Sequence, residues 1–482
     1  MKRHICFTLA FWLVLACALA SCDGGAPEGG KDTPTENMPT EESTDPRYAV
    51  REELPGETYG GKTVNVLMGF FAGKDMYAET ENGDTMNDAV YYRNRAVEEL
   101  LDIKLNVIAG GENLGEAYKA QKSVANAVKA GDSLYDAWMD FQTSMTGASL
   151  EGLLYEFDEL PYIDIAKPWW DKNAVEGICF GNRIYFATGD VNYTTLSTTA
   201  MLLFNKNLFQ ANGLTFPYDL VRSGKWTYDE FVKYLVDGTK DLDGDGKIAL
   251  GADQLCLTGW QHEIGPNFYT AMGGSYAEKD EDSMPRIIIG EQKSVGAFEK
   301  MVSLFSDYGA FQNTADYKDD KDAFREGRVM FIDVRPMDLD TLRDMEDDFG
   351  ILPHPKYDEH QKNYRQFVRG VGNFVGVPAT CPDPGLSSVV IEALAAESYR
   401  RITPAYFEVV LTIKYTRDDE SQDMIEIIAD NRVYGIELVC FEIGFVFIDL
   451  IKKKSTDIIS LYEKNAGKIQ KELDKTIEMY GG

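Results

Sequence analysis

The chain has 482 residues, 44% hydrophobic and 26% charged, a globular ratio that argues against bulk disorder and against a multi-span membrane protein. Against 48 Lys and Arg stand 79 Asp and Glu, a net charge of -31 that repels phosphate backbones and anionic headgroups and argues against a nucleic-acid partner. An acidic body carrying 26 Tyr and 25 Phe suits neutral polar ligands.

Lys2 and Arg3 form a positive n-region, and residues 7–20 an apolar stretch too short to span a bilayer comfortably. It ends in Leu19-Ala20-Ser21-Cys22, which resembles the bacterial lipobox and predicts signal peptide 1–21 with Cys22 lipidated. An ordinary signal peptide cut nearby, or an N-terminal anchor, is the alternative. Residues 23–48 hold four Pro, four Gly, four Thr and seven acids, too polar to fold, and predict a flexible tether. It would span on the order of 30 Å. The expected location is outside the cell, anchored to the outer face of the cytoplasmic membrane, with region 22–59 as anchor and spacer. Cys179, Cys256, Cys381 and Cys440 have no CxxC spacing, so lone thiols and disulfides both stand.

The body opens with a buried-strand pattern at 63–68, then a helix over 87–101 with Val90, Asn94, Val97 and Leu101 on one face. A strand at 104–108, a helix at 117–130 ending on Gly131, and a strand at 135–139 follow. That alternation predicts parallel pairing in a doubly wound α/β lobe, with ligands beyond the strand ends near Phe70, Phe71 and 138–141. Further strands are expected at 182–187, 201–204, 328–333 and 372–377, and a capping box at Thr227 and Glu230. The run 436–451, broken by Glu437, Glu442 and Asp449, reads as a core element, and 455–480 as an amphipathic helix.

Five segments in order carry a resemblance: 150–160, 181–186, 203–206, 224–231 and 323–330. The second is Gly181-Asn182-Arg183-Ile184-Tyr185-Phe186, the fourth Gly224-Lys225-Trp226-Thr227-Tyr228-Asp229-Glu230-Phe231. Together they are similar to the extracellular solute-binding proteins of carbohydrate ABC importers, the maltose-binding-protein-like group. The resemblance implies a two-lobed periplasmic-binding-protein-like (type II) fold with the ligand cleft between lobes. Lobe one would be 60–190 plus 335–378, and lobe two 191–334 plus 379–482. Three crossings would lie near Asp190, Arg335 and Pro378. The implied function is capture of a sugar or oligosaccharide for a membrane permease by a monomer whose only membrane contact is its lipid.

Sugar sites need aromatic planes and planar hydrogen-bonding groups. Candidates are Phe70 and Phe71; Trp138 with Asp140 and Gln142; Asp190, Asn192 and Tyr193; Trp260 and Glu263; Asp333 and Arg335. Against each stands a structural reading: a core Trp138, plain hinge chemistry at 190–193, an ion pair between Asp333 and Arg335. Arg335 keeps a peptide or amino-sugar ligand open. Trp169 and Trp170 read as core or surface in a helix.

Asp241, Asp243 and Asp245, with Gly246 at position six, fit a calcium loop in which Lys247 contributes its carbonyl. Position twelve is Ala252, so Asp253 or water would complete the shell, and an acidic turn is the alternative. No HExxH, GxSxG, P-loop or opening GxGxxG is present, which predicts no catalytic cofactor and a binder; a carboxylate-based glycoside hydrolase is the alternative from another class.

Overall fold

The computed structural model describes residues 45–408, 420–435 and 449–481. The lipobox, most of the tether, Cys440 and most of the apolar run 436–451 lie outside the described residues. From Arg47 onward the chain forms one structural unit.

In chain order the strands are β1 (Lys62–Met68), β2 (Ile103–Ala109), β3 (Ala137–Phe141), β4 (Met201–Asn205), β5 (Leu255–Trp260), β6 (Ala277–Lys279), β7 (Pro285–Ile287), β8 (Phe311–Asn313), β9 (Val329–Val334), β10 (Phe349–Leu352), β11 (Gln366–Phe367), β12 (Asn373–Gly376) and β13 (Arg432–Val433). Two sheets carry the body. One has the order β12-β3-β1-β2, the other β10-β4-β9-β5-β8. In the first, β1 pairs parallel with β2 and β3, and β12 runs antiparallel to β3. In the second, β5 is parallel to β8 and β9, and β4 is antiparallel to β9 and β10.

Alternation along β1 divides the first lobe's core. Val64, Val66 and Met68 pack toward Val97 and Leu101 and toward Val389, Val390 and Leu394. Leu67 and Trp138 face Ala120, Val124 and Met145 on the other side. Helix Thr85–Leu101 starts where the Asp84 carboxylate accepts from the Met86 and Asn87 amides at 3.1 and 3.0 Å. Helix Lys119–Ala130 ends on Gly131 at φ 74°, a left-handed turn without cost for glycine. The second lobe is held by edge-to-face aromatics around Phe331, with Phe231 at 5.1 Å and Phe209 at 5.3 Å between ring centres.

Several expectations need correction. The chain does not leave the second sheet at Arg335: after a 3-10 turn it adds β10 beside β4. Its return to the first sheet is 353–372. Nor is Pro378 a crossing, because helix Pro384–Glu408 buries Leu386 to Ala396 in the first lobe's core. The expected lobe boundaries at 335 and 379 therefore shift, with β10 in lobe two and the helix's first half in lobe one. Residues 182–187 make only isolated bridges, Phe180 with Arg183 and Ala187 with Val375. The Thr227 side chain accepts no capping bond; its backbone instead bridges Lys356. Among the described residues Cys179, Cys256 and Cys381 are free thiols, and no helix is long and apolar enough to cross a membrane.

The last helix, Ile458–Gly481, ties the lobes together. Ile458 and Ile469 lie in the second lobe's core, and Tyr480 lies in the first lobe's, its hydroxyl 3.0 Å from Ser149 Oγ. Beside it, the β6–β7 hairpin of lobe two accepts the Gly181 amide on the Ser283 carbonyl at 3.2 Å.

Trp169 and Trp170 precede helix Lys172–Ile178 rather than lying within it. Both are buried, and both indoles donate at 3.0 Å to Glu392 of helix Pro384–Glu408. Burial pushes Glu392 up to about 7, Asp140 and Asp190 to about 7, and Asp75 to about 6. Each folded value exceeds its unfolded one, so these acids stabilise most below roughly pH 4 and lose that contribution as pH rises through 6 to 7. Surface repulsion at -31 acts in the same direction. The melting temperature should therefore fall between pH 5 and 8, and Glu392→Gln should make that decline shallower. Scanning calorimetry showing a flat or rising profile, or the same slope in the variant, would contradict this.

Candidate functional site

Two segments connect the two sheets at strand ends. Segment 190–200 leaves the first sheet near the Asn373–Phe141 pairing and enters β4 at Met201, opposite Val334. Segment 353–372 leaves β10 at Leu352, opposite Leu202, and enters β12 at Asn373. Both crossings thus meet the carboxyl ends of the parallel strands. They also touch each other, through a bridge between Thr199 and Val368.

On the first lobe, β1 ends and the 3-10 turn Phe70–Ala72 begins. Phe70 and Phe71 lie 4.9 Å apart, Phe71 lies 5.5 Å from Phe141 at the end of β3, and Tyr118 lies 5.1 Å from Phe141. Tyr118, half-exposed, stands at the start of helix Lys119–Ala130. A groove of about 600 Å³ continues past Phe70 to Lys74 and Tyr77. These rings form an aromatic shelf at the mouth of the sheet.

Trp138 is not part of that shelf. It is completely buried in the core behind it, because β3 runs three residues beyond it to Phe141. Asp140 and Gln142 are buried as well. Asp140 lies so close beneath Gly69 that a Cβ there would come within 1.8 Å of its Oδ1. Its carboxylate accepts from the Phe141 amide at 2.9 Å, and desolvation outweighs that bond and the neighbouring Trp138 and Ser144 side chains. These three residues shape the support of the shelf.

The crossing residues also turn inward. Asp190 accepts from Thr403 Oγ1 at 2.5 Å, Asn192 is buried with its amide 3.8 Å from Met139 Sδ, and the Tyr193 ring packs 5.8 Å from Tyr406. Their place is the interior of the hinge. Thr194 on the first crossing and Asn373 at the start of β12 were missed by sequence reasoning; both bond the buried carboxylate of Asp75.

On the second lobe, Trp260 ends β5 and stands edge-on to Tyr317 at 5.9 Å. The Arg335 guanidinium lies 5.1 Å over the same Tyr317 ring. Arg335 does not pair with Asp333. It bonds Asp338 at 3.2 Å and lies 3.6 Å from Glu263, which also pairs with Arg369. Its charge is thereby neutralised inside the protein, which removes the feature that kept a carboxylate-bearing ligand open. Glu263 is buried under these two arginines. Asp333 is buried between Asn267 at 3.0 Å and His354 at 3.1 Å, and burial raises its pKa. Tyr317, Asp338 and Arg369 gave no sequence signal, since each acts only through partners distant in the chain. Phe141 and Tyr118 had one: an aromatic at a strand end and another at a helix start.

In the acidic loop, carboxylate oxygens of Asp241, Asp243 and Asp253 come within 4.8 Å of one another, and Asp245 is not in that group. Asp241 accepts from the Gly244 and Gly246 amides at 2.7 and 2.8 Å. Asp253 accepts from Ala249 and Leu242, each at 2.8 Å, and these backbone donors lower its pKa. Three carboxylates at that spacing fit a hard divalent cation with oxygen ligands.

No family model matches the sequence, and no curated protein matches it. Solved structures do. A cyclo/maltodextrin-binding protein complexed with maltotetraose aligns with TM-score 0.56 at 13% identity, covering 88% of this chain and 98% of its own. The ABC substrate-binding protein Lmo0181 of Listeria monocytogenes, in complex with cycloalternan, gives 0.54 at 12%, covering 87% and 99%. The GacH receptor of Streptomyces glaucescens, solved unliganded and with acarbose, gives 0.54 at 13%, covering 87% and 99%. At these identities the likeness establishes architecture: the chain has the two-lobed α/β fold of maltodextrin-binding-protein-like ABC substrate-binding proteins.

Proposed function

We propose that this protein captures a saccharide outside the cell and delivers it to the permease of an ABC importer. The observation that carries the reading is the pair of aromatic surfaces, Phe70, Phe71 and Tyr118 on one lobe and Trp260 with Tyr317 on the other, at the strand ends where both crossings meet. Such rings accept the apolar C–H faces of sugars, and their rim of balanced charges favours a neutral ligand. The neighbours' ligands, maltotetraose, cycloalternan and acarbose, supply the compounds to try first. Titration calorimetry with maltodextrins, cyclic glucans and acarbose should detect binding without turnover. Phe71→Ala and Tyr118→Ala should each weaken it roughly five- to tenfold, about 1–1.4 kcal/mol. Intact affinity in both variants, or cleavage of the sugar, would overturn the reading.

The lipid anchor at Cys22 belongs to the same proposal, since a tethered receptor stays near its permease. Cys22→Ala should move the protein from the membrane fraction to the soluble fraction, or leave it unprocessed. Unchanged fractionation would refute the anchor.

We also propose that Asp241, Asp243 and Asp253 hold a structural calcium ion, with Asp245 and the Lys247 carbonyl as further candidates. Without the ion three carboxylates repel, so chelation should lower the melting temperature and added calcium restore it. Asp241→Ala with Asp243→Ala should stop responding to either treatment. An unmoved melting curve in EDTA would reduce the loop to an acidic turn.

A further inference from the structure

Asp75 is completely buried on the short helix Gly73–Met76, immediately after the Phe70–Ala72 turn. Nothing in the saccharide reading uses it. Its carboxylate nevertheless gathers donors from the first crossing and from the start of β12, where the second crossing enters the first sheet. Oδ1 accepts the Thr194 amide at 3.0 Å, and Oδ2 accepts Thr194 Oγ1 at 2.6 Å and Asn373 Nδ2 at 2.7 Å. Asn373 Nδ2 lies 2.8 Å from the Phe71 carbonyl and 2.6 Å from Thr194 Oγ1. One buried anion therefore joins the first crossing, the end of the second, and the backbone of the aromatic shelf.

Its surroundings hold it in place from the other side. Arg93 of helix Thr85–Leu101 donates to the Asp75 carbonyl at 2.6 Å and to Ser398 Oγ at 3.0 Å, and Asn94 donates to the Met76 carbonyl at 2.8 Å. The charged or titratable groups facing this cluster are Arg93 from that helix and Tyr193 from the first crossing, with Asp84 reaching Tyr193. Asn373, Thr194 and Ser398 are neutral. A lobe rotation that moves the first crossing must displace Thr194 from the carboxylate or pull on the Phe71 backbone through it, while Asn373 of β12 stays with the first sheet. Packed interiors resist gradual deformation, so such a bond set switches between arrangements.

We propose that Asp75 is a positioning residue that couples the lobe angle to the aromatic shelf, so that its charged form sets both the resting angle and the saccharide affinity. The affinity half of this rests on the saccharide reading; the angle half does not. Burial raises the carboxyl to about 6, so acidification through that range adds a proton, removes acceptor capacity from Oδ1 or Oδ2, and frees the first crossing.

Thr194→Val keeps the amide and the side-chain volume while removing the hydroxyl bridge. Asp75→Asn removes the charge. Small-angle scattering of the ligand-free protein should show the radius of gyration shifting in wild type between pH 7 and 5, and no such shift in Asp75→Asn. Saccharide affinity at pH 7.5 should fall roughly tenfold in Thr194→Val. The proposal fails if both variants keep the wild-type radius at every pH, or if they lose only melting temperature while the radius and affinity profiles match wild type. Should wild type bind no saccharide at all, the functional reading fails, and the ligand-free scattering still decides the coupling.

Discussion

Each sheet carries one crossing-linked strand that runs against its parallel neighbours, β12 in the first and β4 in the second. A chain passing between two parallel sheets would have to travel the length of a strand before entering the next one. An antiparallel strand removes that detour, because its start lies beside its neighbour's end. Both crossings therefore leave and enter at the carboxyl ends, where loops are free to vary while the strands stay packed. The aromatic surfaces, the buried Asp75 and the arginines over Glu263 all gather at this edge.

The charge distribution follows the same division. Acids dominate the surface, yet the buried ones are few and each has specific donors. Glu392 has two indoles, Asp333 an amide and an imidazole, Asp75 a backbone amide, a hydroxyl and a carboxamide. For Glu392 and Asp75 these neutral donors satisfy the carboxylate's lone pairs without adding a second charge to the bond set, which is why burial still dominates their titration. The arginines behave differently: Arg335 and Arg369 share Glu263, and Asp338 takes the remaining fork of Arg335. The floor of the second lobe's wall is left close to neutral.

Local periodicity was readable wherever a segment buries one face. Val64 and Val66, the helix face of Val90, Val97 and Leu101, and the Gly131 stop all stand where alternation or spacing places them. Depth along a strand was not readable. The apolar pattern ends at 139 while hydrogen bonding continues to Phe141, so Trp138 sits in the core and not at the mouth. Long-range partners were equally hidden, as Arg335 shows, because Glu263 lies 72 positions away. The four-residue strand β10 is too short to signal itself, and missing it displaces a crossing. Helix Pro384–Glu408 is buried on several sides, and an all-round apolar helix does not reveal which sheet it covers.

The helix Ile458–Gly481 runs from the second lobe's core to the first's, and the β6–β7 hairpin touches the first lobe beside it. Two lobes joined only by their crossings would swing through a broad set of openings, all of which a captured ligand must suppress. A third connection with buried ends narrows that set before any ligand arrives. Less conformational entropy is then surrendered on capture, and more of each contact's free energy survives as affinity. The same strap limits the throw of any rotation between the lobes.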